Sequence, residues 1–252
     1  MVQWIVKYRA ERAIMKHEMW RRLALVVVLT LVSLLAIPSV AEAHKPIFDG
    51  SGTSGYDRAL YIFDPTISWA VYTELRHPGE VDYYTFEARQ GTPLYTQMVI
   101  PQISGLEQFV PSIVLVGPGL PAPQEALPVP LPPGDGAVLI QPQPGEQPQS
   151  FYEPITQTNY WEWQEYRAPA PADGTYYLLV FDPQNQVGKY VLAIGEREDY
   201  GFGDLLQLPV IWWKVHAYFG ETSWSTALAA ATVGVILLTI VMTVAWRRWR
   251  RN

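Results

Sequence analysis

From Ile67 to Arg76 the chain alternates: Ile67, Trp69, Val71, Thr73 and Leu75 fall on one side, Ser68, Ala70, Tyr72, Glu74 and Arg76 on the other. A period of two is the mark of a half-buried strand, because successive side chains of an extended backbone leave opposite faces. The turn Arg76-His77-Pro78-Gly79 ends it. Further runs follow at Val81 to Ala88, Leu94 to Ile100, Ser112 to Val116, Ala137 to Ile140, Tyr160 to Arg167, Thr175 to Phe181 and Lys189 to Ile194. Each is rich in β-branched or aromatic residues and bounded by Gly, Pro or Asp-Gly signals. About eight short strands with no helical period between them predict an all-β fold, an antiparallel sandwich over 44–203.

Proline interrupts this rhythm. Pro118 to Pro133 and Pro142 to Pro148, within an insertion over 118–148, lack too many N–H donors to join a ladder. They are expected to be stiff, extended surface loops, with docking of a proline-recognising partner as the alternative.

Two apolar stretches frame the strands. Leu23 to Ile37 follows Arg21 and Arg22 and precedes the small-residue triplet Ala41-Glu42-Ala43. Fifteen residues are short for a bilayer that needs about 20 in a helix, so 1–43 reads as a signal peptide with a basic leader, cut to leave His44 first. An uncleaved anchor is the alternative, and Met15 or Met19 as the start would give ordinary signal proportions. Ser225 to Trp246 carries no charge and is long enough to span, so a transmembrane helix is expected over 224–246. Arg247, Arg248, Arg250 and Arg251 follow in a tail over 247–252, which the positive-inside bias places in the cytoplasm. The reading is a single-pass protein of a bacterial cytoplasmic membrane, with its N-terminal domain outside and the lipid bilayer as a partner. Between them, 204–223 reads as an amphipathic segment lying along the outer interface, with Pro209 near its start. Trp212, Trp213 and Trp224 would mark the outer interface, and Trp246 and Trp249 the inner one.

Charge sharpens this picture. The whole chain carries −6, yet His44 to Trp224 holds 8 Lys/Arg against 21 Asp/Glu, a formal charge of −13. Such a surface repels nucleic acid and suits metal cations or basic partners, beside the plainer role of keeping a domain soluble. Cysteine is absent, which excludes disulfides, zinc-thiolate sites and thiol nucleophiles.

The runs VDYYTFEARQGTPLYTQMVIP at Val81 to Pro101, PSIVLVGP at Pro111 to Pro118 and DGTYYLLVFDPQNQVGKYVLAIG at Asp173 to Gly195 carry a family resemblance. An Asp-Tyr-Tyr-x-Phe strand, a glycine turn, a Pro-started strand and a Gly-x-Tyr hairpin together resemble the bacterial pre-peptidase C-terminal domain. The resemblance covers about 120 of 252 residues. It implies a jelly-roll-like sandwich and a non-catalytic module of the kind that accompanies secreted hydrolases, some relatives binding calcium or matrix polymers. Here no peptidase sequence adjoins it, and the proline-rich segment is inserted.

Several residues bear candidate chemistry. Asp82 could offer calcium or sugar an oxygen, or could simply accept N–H bonds at a strand start. Asp49, Asp57 and Asp64, around the Gly/Ser-rich DGSGTSGYD, could supply calcium oxygens, although their spacing is not that of an EF-hand. His44, as a mature N-terminus, would present an α-amine and an imidazole that chelate copper as a pair, with His77 as second ligand. Trp161 and Trp163 in NYWEWQEY could stack on sugar rings, or pack one face of their strand into the core, leaving Tyr160, Glu162, Gln164 and Tyr166 to water.

No nucleophile elbow, His-Glu-x-x-His, phosphate loop or dinucleotide fingerprint occurs. The sequence therefore reads as a membrane-anchored, non-enzymatic binding module with a protein or glycan partner outside the cytoplasm. The alternatives are a copper-binding protein and a structural tethered stalk.

Overall fold

The structure is a computed structural model and describes residues 44–48 and 54–220. The expected signal peptide, spanning helix and basic tail lie outside these residues, as do Asp49, Trp224, Trp246 and Trp249. Among the described residues, no helix is long and apolar enough to cross a membrane.

Among the described residues, eleven strands form two sheets. They are β1 (Lys45–Phe48), β2 (Leu60–Tyr61), β3 (Trp69–Leu75), β4 (Val81–Ala88), β5 (Pro93–Pro101), β6 (Ser112–Gly117), β7 (Gly136–Ile140), β8 (Gln149–Glu153), β9 (Thr158–Pro169), β10 (Gly174–Phe181) and β11 (Gly188–Ile194), followed by one helix, α1 (Phe202–Phe219). The six-stranded sheet runs β1-β3-β11-β5-β9-β8 and the five-stranded sheet β2-β4-β10-β6-β7. All eight expected strands form. β1, β2 and β8 were not expected, being edge strands of two to five residues that take their order from a neighbour. The sheets are mixed, and this corrects the purely antiparallel expectation: β1 pairs parallel with β3 and β2 parallel with β4. Both exceptions are edge strands reached by crossing from one sheet to the other, a connection that places a strand beside its partner in the same direction.

Between the sheets, Val71, Leu75, Tyr84, Phe86, Met98, Ile113, Leu115, Tyr176, Leu178 and Leu192 form the main core. Burying each large apolar side chain contributes about 1.5–3 kcal/mol, so this layer holds the fold. The outer faces are apolar too, which alternation within a strand does not reveal. On the five-stranded sheet, Val114, Val116, Ala137 and Leu179 meet Leu127, Val129 and Leu131 of the proline-rich insertion. In Leu127-Pro128-Val129-Pro130-Leu131 the prolines are exposed and the intervening residues turn inward, so the stiff extended strap covers that face. Tyr56 fixes the strap by donating to the Pro130 carbonyl at 3.2 Å.

The six-stranded sheet is covered by α1. Ala70, Tyr72, Tyr160 and Val191 pack against Val215 and Phe219, with Ile211 and Tyr218 alongside. Tyr218 Oη lies 2.8 Å from the Thr73 carbonyl and 2.7 Å from that of Tyr190. His216 is buried and sets Nε2 2.9 Å from the Thr156 carbonyl. Of the segment over 204–223 expected along a bilayer interface, the described part belongs to α1, and residues 221–223 lie outside the described residues. The apolar side of α1 is occupied by the sheet, the Trp212 ring lies tilted against that of His216 with centroids 3.9 Å apart, and of the two tryptophans Trp213 is the more exposed. Pro209 lies inside the helix rather than at its start; the start is at Gly201, whose N–H donates to Asp204. Val215→Ala is expected to cost about 1–3 kcal/mol, read as a lower denaturation midpoint with an unchanged slope.

Candidate functional site

α1 leaves part of its sheet face open, and there a cavity of about 670 Å³ forms. Its walls come from β5 (Tyr95, Gln97), β9 (Glu162, Trp163, Glu165, Arg167), β8 with the loop before it (Glu146, Phe151), and the segment after β11 (Glu196, Glu198), with His44 and Ser68 at the margin. The alternation of β9 explains why charge gathers here. Gln97 faces Glu165 while Val99 faces Glu162, so β9 carries one extra residue at a bulge. The bulge shifts the inward phase. Trp161 and Tyr166 pack on the main core, whereas Glu162, Glu165 and Arg167 line the cavity. A strict alternation predicts Tyr160, Gln164 and Tyr166 in water. Instead Tyr160 is buried under α1, and Gln164 is buried with its amide donating to the Pro111 carbonyl at 2.7 Å.

The electrostatics are one-sided. Five glutamates line the cavity against one guanidinium, and that guanidinium is already engaged. Arg167 donates to Glu196 through Nη2 at 2.7 Å and Nε at 3.2 Å, pairs with Glu165 at 3.5 Å and stacks over Tyr95 at 5.0 Å. The Glu196 hydrogen bond and the neighbouring carboxylates push its pKa further up. Burial, together with Glu165, raises the Tyr95 hydroxyl, which donates toward Gln97 at 3.0 Å and Glu165 at 3.3 Å. The site thus offers carboxylate acceptors over aromatic surfaces.

Its floor is stitched by backbone. Ser68 N–H donates to the Arg197 carbonyl at 2.9 Å, Arg197 N–H to Thr66 at 2.8 Å and Gly195 N–H to Tyr95 at 3.0 Å. Asp64 reinforces this join. Burial works to raise its pKa, but hydrogen bonds from Thr66 and the Arg197 guanidinium at 2.9 Å outweigh it and hold the carboxyl below its usual range.

The predicted metal sets are not brought together. His44 bonds Ser68 through Nδ1, and the adjacent Lys45 pairs with Trp69 at the beginning of β3. His77 follows the far end of that strand. At about 3.3 Å per residue, β3 holds the two histidines about 20 Å or more apart. Asp57 is exposed beside Arg58, Asp64 is committed to Thr66 and Arg197, and Asp82 is buried in the core, where it accepts from Tyr190 at 2.5 Å. Asp49, the fourth calcium candidate, lies outside the described residues. Among the described residues, no group of three or more His, Asp or Glu is arranged to hold a metal ion. Trp161 and Trp163 pack against the main core rather than forming an open stacking face, although Trp163 also reaches the cavity wall. The glutamates of the cavity were missed, because no local motif joins residues 146 to 198.

No protein-family model matches the chain, and no curated protein does. Among solved structures it is similar to PliG of Salmonella Typhimurium, a periplasmic inhibitor of g-type lysozyme, at 17% identity over 61% of this chain and 98% of that one, with a TM-score of 0.27. PliG of Aeromonas hydrophila gives 14% identity over the same shares, also with a TM-score of 0.27. CorA, a surface-associated copper-binding protein important in copper acquisition by Methylomicrobium album BG8, gives 9% identity over 60% of this chain and 100% of that one, again with a TM-score of 0.27.

Proposed function

We propose that this chain is a non-catalytic, membrane-tethered binding module whose sandwich stands outside a bacterial cytoplasm and whose acidic concavity receives a Lys/Arg-rich protein segment. The observation that carries the reading is the cavity itself, with five glutamates against an Arg167 that they already neutralise. A cationic segment entering it meets carboxylates that can take bidentate guanidinium contacts, while Tyr95, Phe151 and Trp163 offer rings to cations and to their aliphatic stems. The −13 of His44 to Trp224 adds long-range steering of the same sign. The signal-like start, the uncharged run before the arginine tail and the resemblance to pre-peptidase C-terminal modules support the tethered, accessory character.

Calorimetric titration of a hexalysine peptide into the full chain in detergent tests it. Binding is expected at low salt, weakening as salt rises. Glu165→Gln/Glu196→Gln/Glu198→Gln is expected to lower affinity about tenfold, roughly 1.4 kcal/mol. Equal affinity in the triple variant would place the binding elsewhere and sink the proposal. Tight Cu(II) binding with no response to the peptide would instead return attention to His44.

A further inference from the structure

The docking of α1 fixes more than the sheet face it covers, because the helix has a direction. At its start, Asp204 pairs with Lys45 at 3.4 Å, and Lys45 lies beside Trp69 in register. At its end, the Tyr218 hydroxyl reaches Thr73 near the other end of β3, and Lys189 Nζ reaches the Tyr218 carbonyl at 2.5 Å. The helix therefore runs along the sandwich from one end to the other. Eighteen residues at about 1.5 Å each make that run about 27 Å.

The end where α1 finishes is defined by register. Leu75 faces Gly188, Pro101 faces Tyr160, Val81 faces Phe181 and Glu153 faces Thr158, and Gly188 lies against Leu106 and Phe109. The turns 76–80, 102–111, 154–157 and 182–187 thus share one end. The cavity lies toward the other, beside Ser68 and Gly195.

We propose that the sandwich stands upright on its tether, with these four turns resting against the lipid headgroup surface and the acidic concavity facing away from it. The proposal rests on the tethered reading above. Gly220 closes α1, and the uncharged run begins at Ser225. Five residue steps reach at most about 18 Å, less than the length of the helix, so the connection cannot bring the far end down in place of the near one. The carboxylates within these turns are engaged in shaping them: Glu80 accepts from His77 N at 2.8 Å, Glu107 from Gly105 N at 2.9 Å, and Asp182 from Gln184 N and Gln186 N at 2.8 and 2.9 Å. Measured along β5 from Pro101 at that end, Val99 opposite Glu162 lies two residues and Gln97 opposite Glu165 four residues farther out, about 7 and 13 Å at about 3.3 Å per residue. The concavity so placed is open to partners approaching from outside.

The absence of cysteine makes single-site labelling direct. Gln108 is exposed in the 102–111 turn, and Gln90 is exposed in the turn between β4 and β5 at the opposite end. Gln108→Cys and Gln90→Cys full-length chains, each carrying a fluorophore, would be placed in nanodiscs of phosphatidylcholine and phosphatidylglycerol containing a headgroup-nitroxide lipid. Loss of fluorescence at Gln108→Cys but not at Gln90→Cys is the expected result. Equal quenching of both, or stronger quenching at Gln90→Cys, overturns the orientation while leaving the tether intact. A chain that does not enter the discs overturns the tether, and the orientation with it.

Discussion

Tyr190→Phe is expected to cost about 2–4 kcal/mol of folding stability, roughly 10 °C in melting temperature for a domain of this size. Tyr190 is fully buried between the sheets; its hydroxyl donates to Asp82 at 2.5 Å and lies 2.7 Å from that of Tyr84. Burial, with Tyr84 and Asp82 beside it, pushes the Tyr190 pKa far up, so the hydroxyl keeps its proton as donor throughout the physiological range. Removing it takes a donor from a carboxylate that is itself out of water, and the Coulombic penalty in a poor dielectric makes that loss larger than an ordinary hydrogen bond. Asp82→Asn keeps the shape and removes the charge. The double variant Asp82→Asn/Tyr190→Phe is therefore expected to be more stable than the two single losses summed. A Tyr190→Phe loss below about 1 kcal/mol, in denaturant unfolding at pH 7, would show that Asp82 does not depend on this donor. Asp82 is thus a core residue, although it is the most family-like carboxylate in the sequence.

The second large effect is expected at Gly195, where the floor of the cavity turns. Its φ is 72°, and a Cβ there would meet the carbonyl oxygens of Ile67 at 2.2 Å and Pro65 at 2.6 Å. Backbone oxygens held by the 64–68 and 195–199 stitching cannot step aside as a flexible side chain would. Gly195→Ala is therefore expected to cost about 3 kcal/mol or more, combining left-handed strain of about 1–2 kcal/mol with this overlap. Gly91 provides the comparison, with φ 85° and nothing within 4 Å of a Cβ. Gly91→Ala should carry only the strain, about 1–2 kcal/mol. If denaturation midpoints show both variants falling equally, the contact with Ile67 and Pro65 is not what demands glycine at 195. Because Gly195 precedes Glu196, its replacement should also weaken hexalysine binding.

Strands were legible where the chain alternates for five residues or more. β4 runs Val81–Ala88, as the alternation predicts, and is paired along its whole length with β10. β1 and β2 carry too few residues for a period to register, while β8, as long as β7, is largely polar and exposed in QSFYE, and its order is supplied by the partner. Around β9 the reading failed for a different reason. A single bulge opposite Gln97 and Val99 reverses the phase, so Tyr166 turns in and Glu165 turns out. The inward packing of Trp161 was legible, since aromatic alternation in a strand commonly marks a core face.

The alternation of apolar residues determined the strands and the faces they bury, and the proline spacing determined that 118–148 contributes no central strand. Both are local properties of the backbone, available from neighbouring residues alone. Only the tertiary structure decided that α1 covers one outer face and the Leu127-Val129-Leu131 strap the other, that the sheets are mixed, and that His44 and His77 lie apart. It also decided the cavity, whose glutamates belong to separate elements joined by long-range pairing. Sequence patterning says which side of an element seeks burial, whereas the partner that buries it, and the concavity left between partners, depend on how distant elements meet.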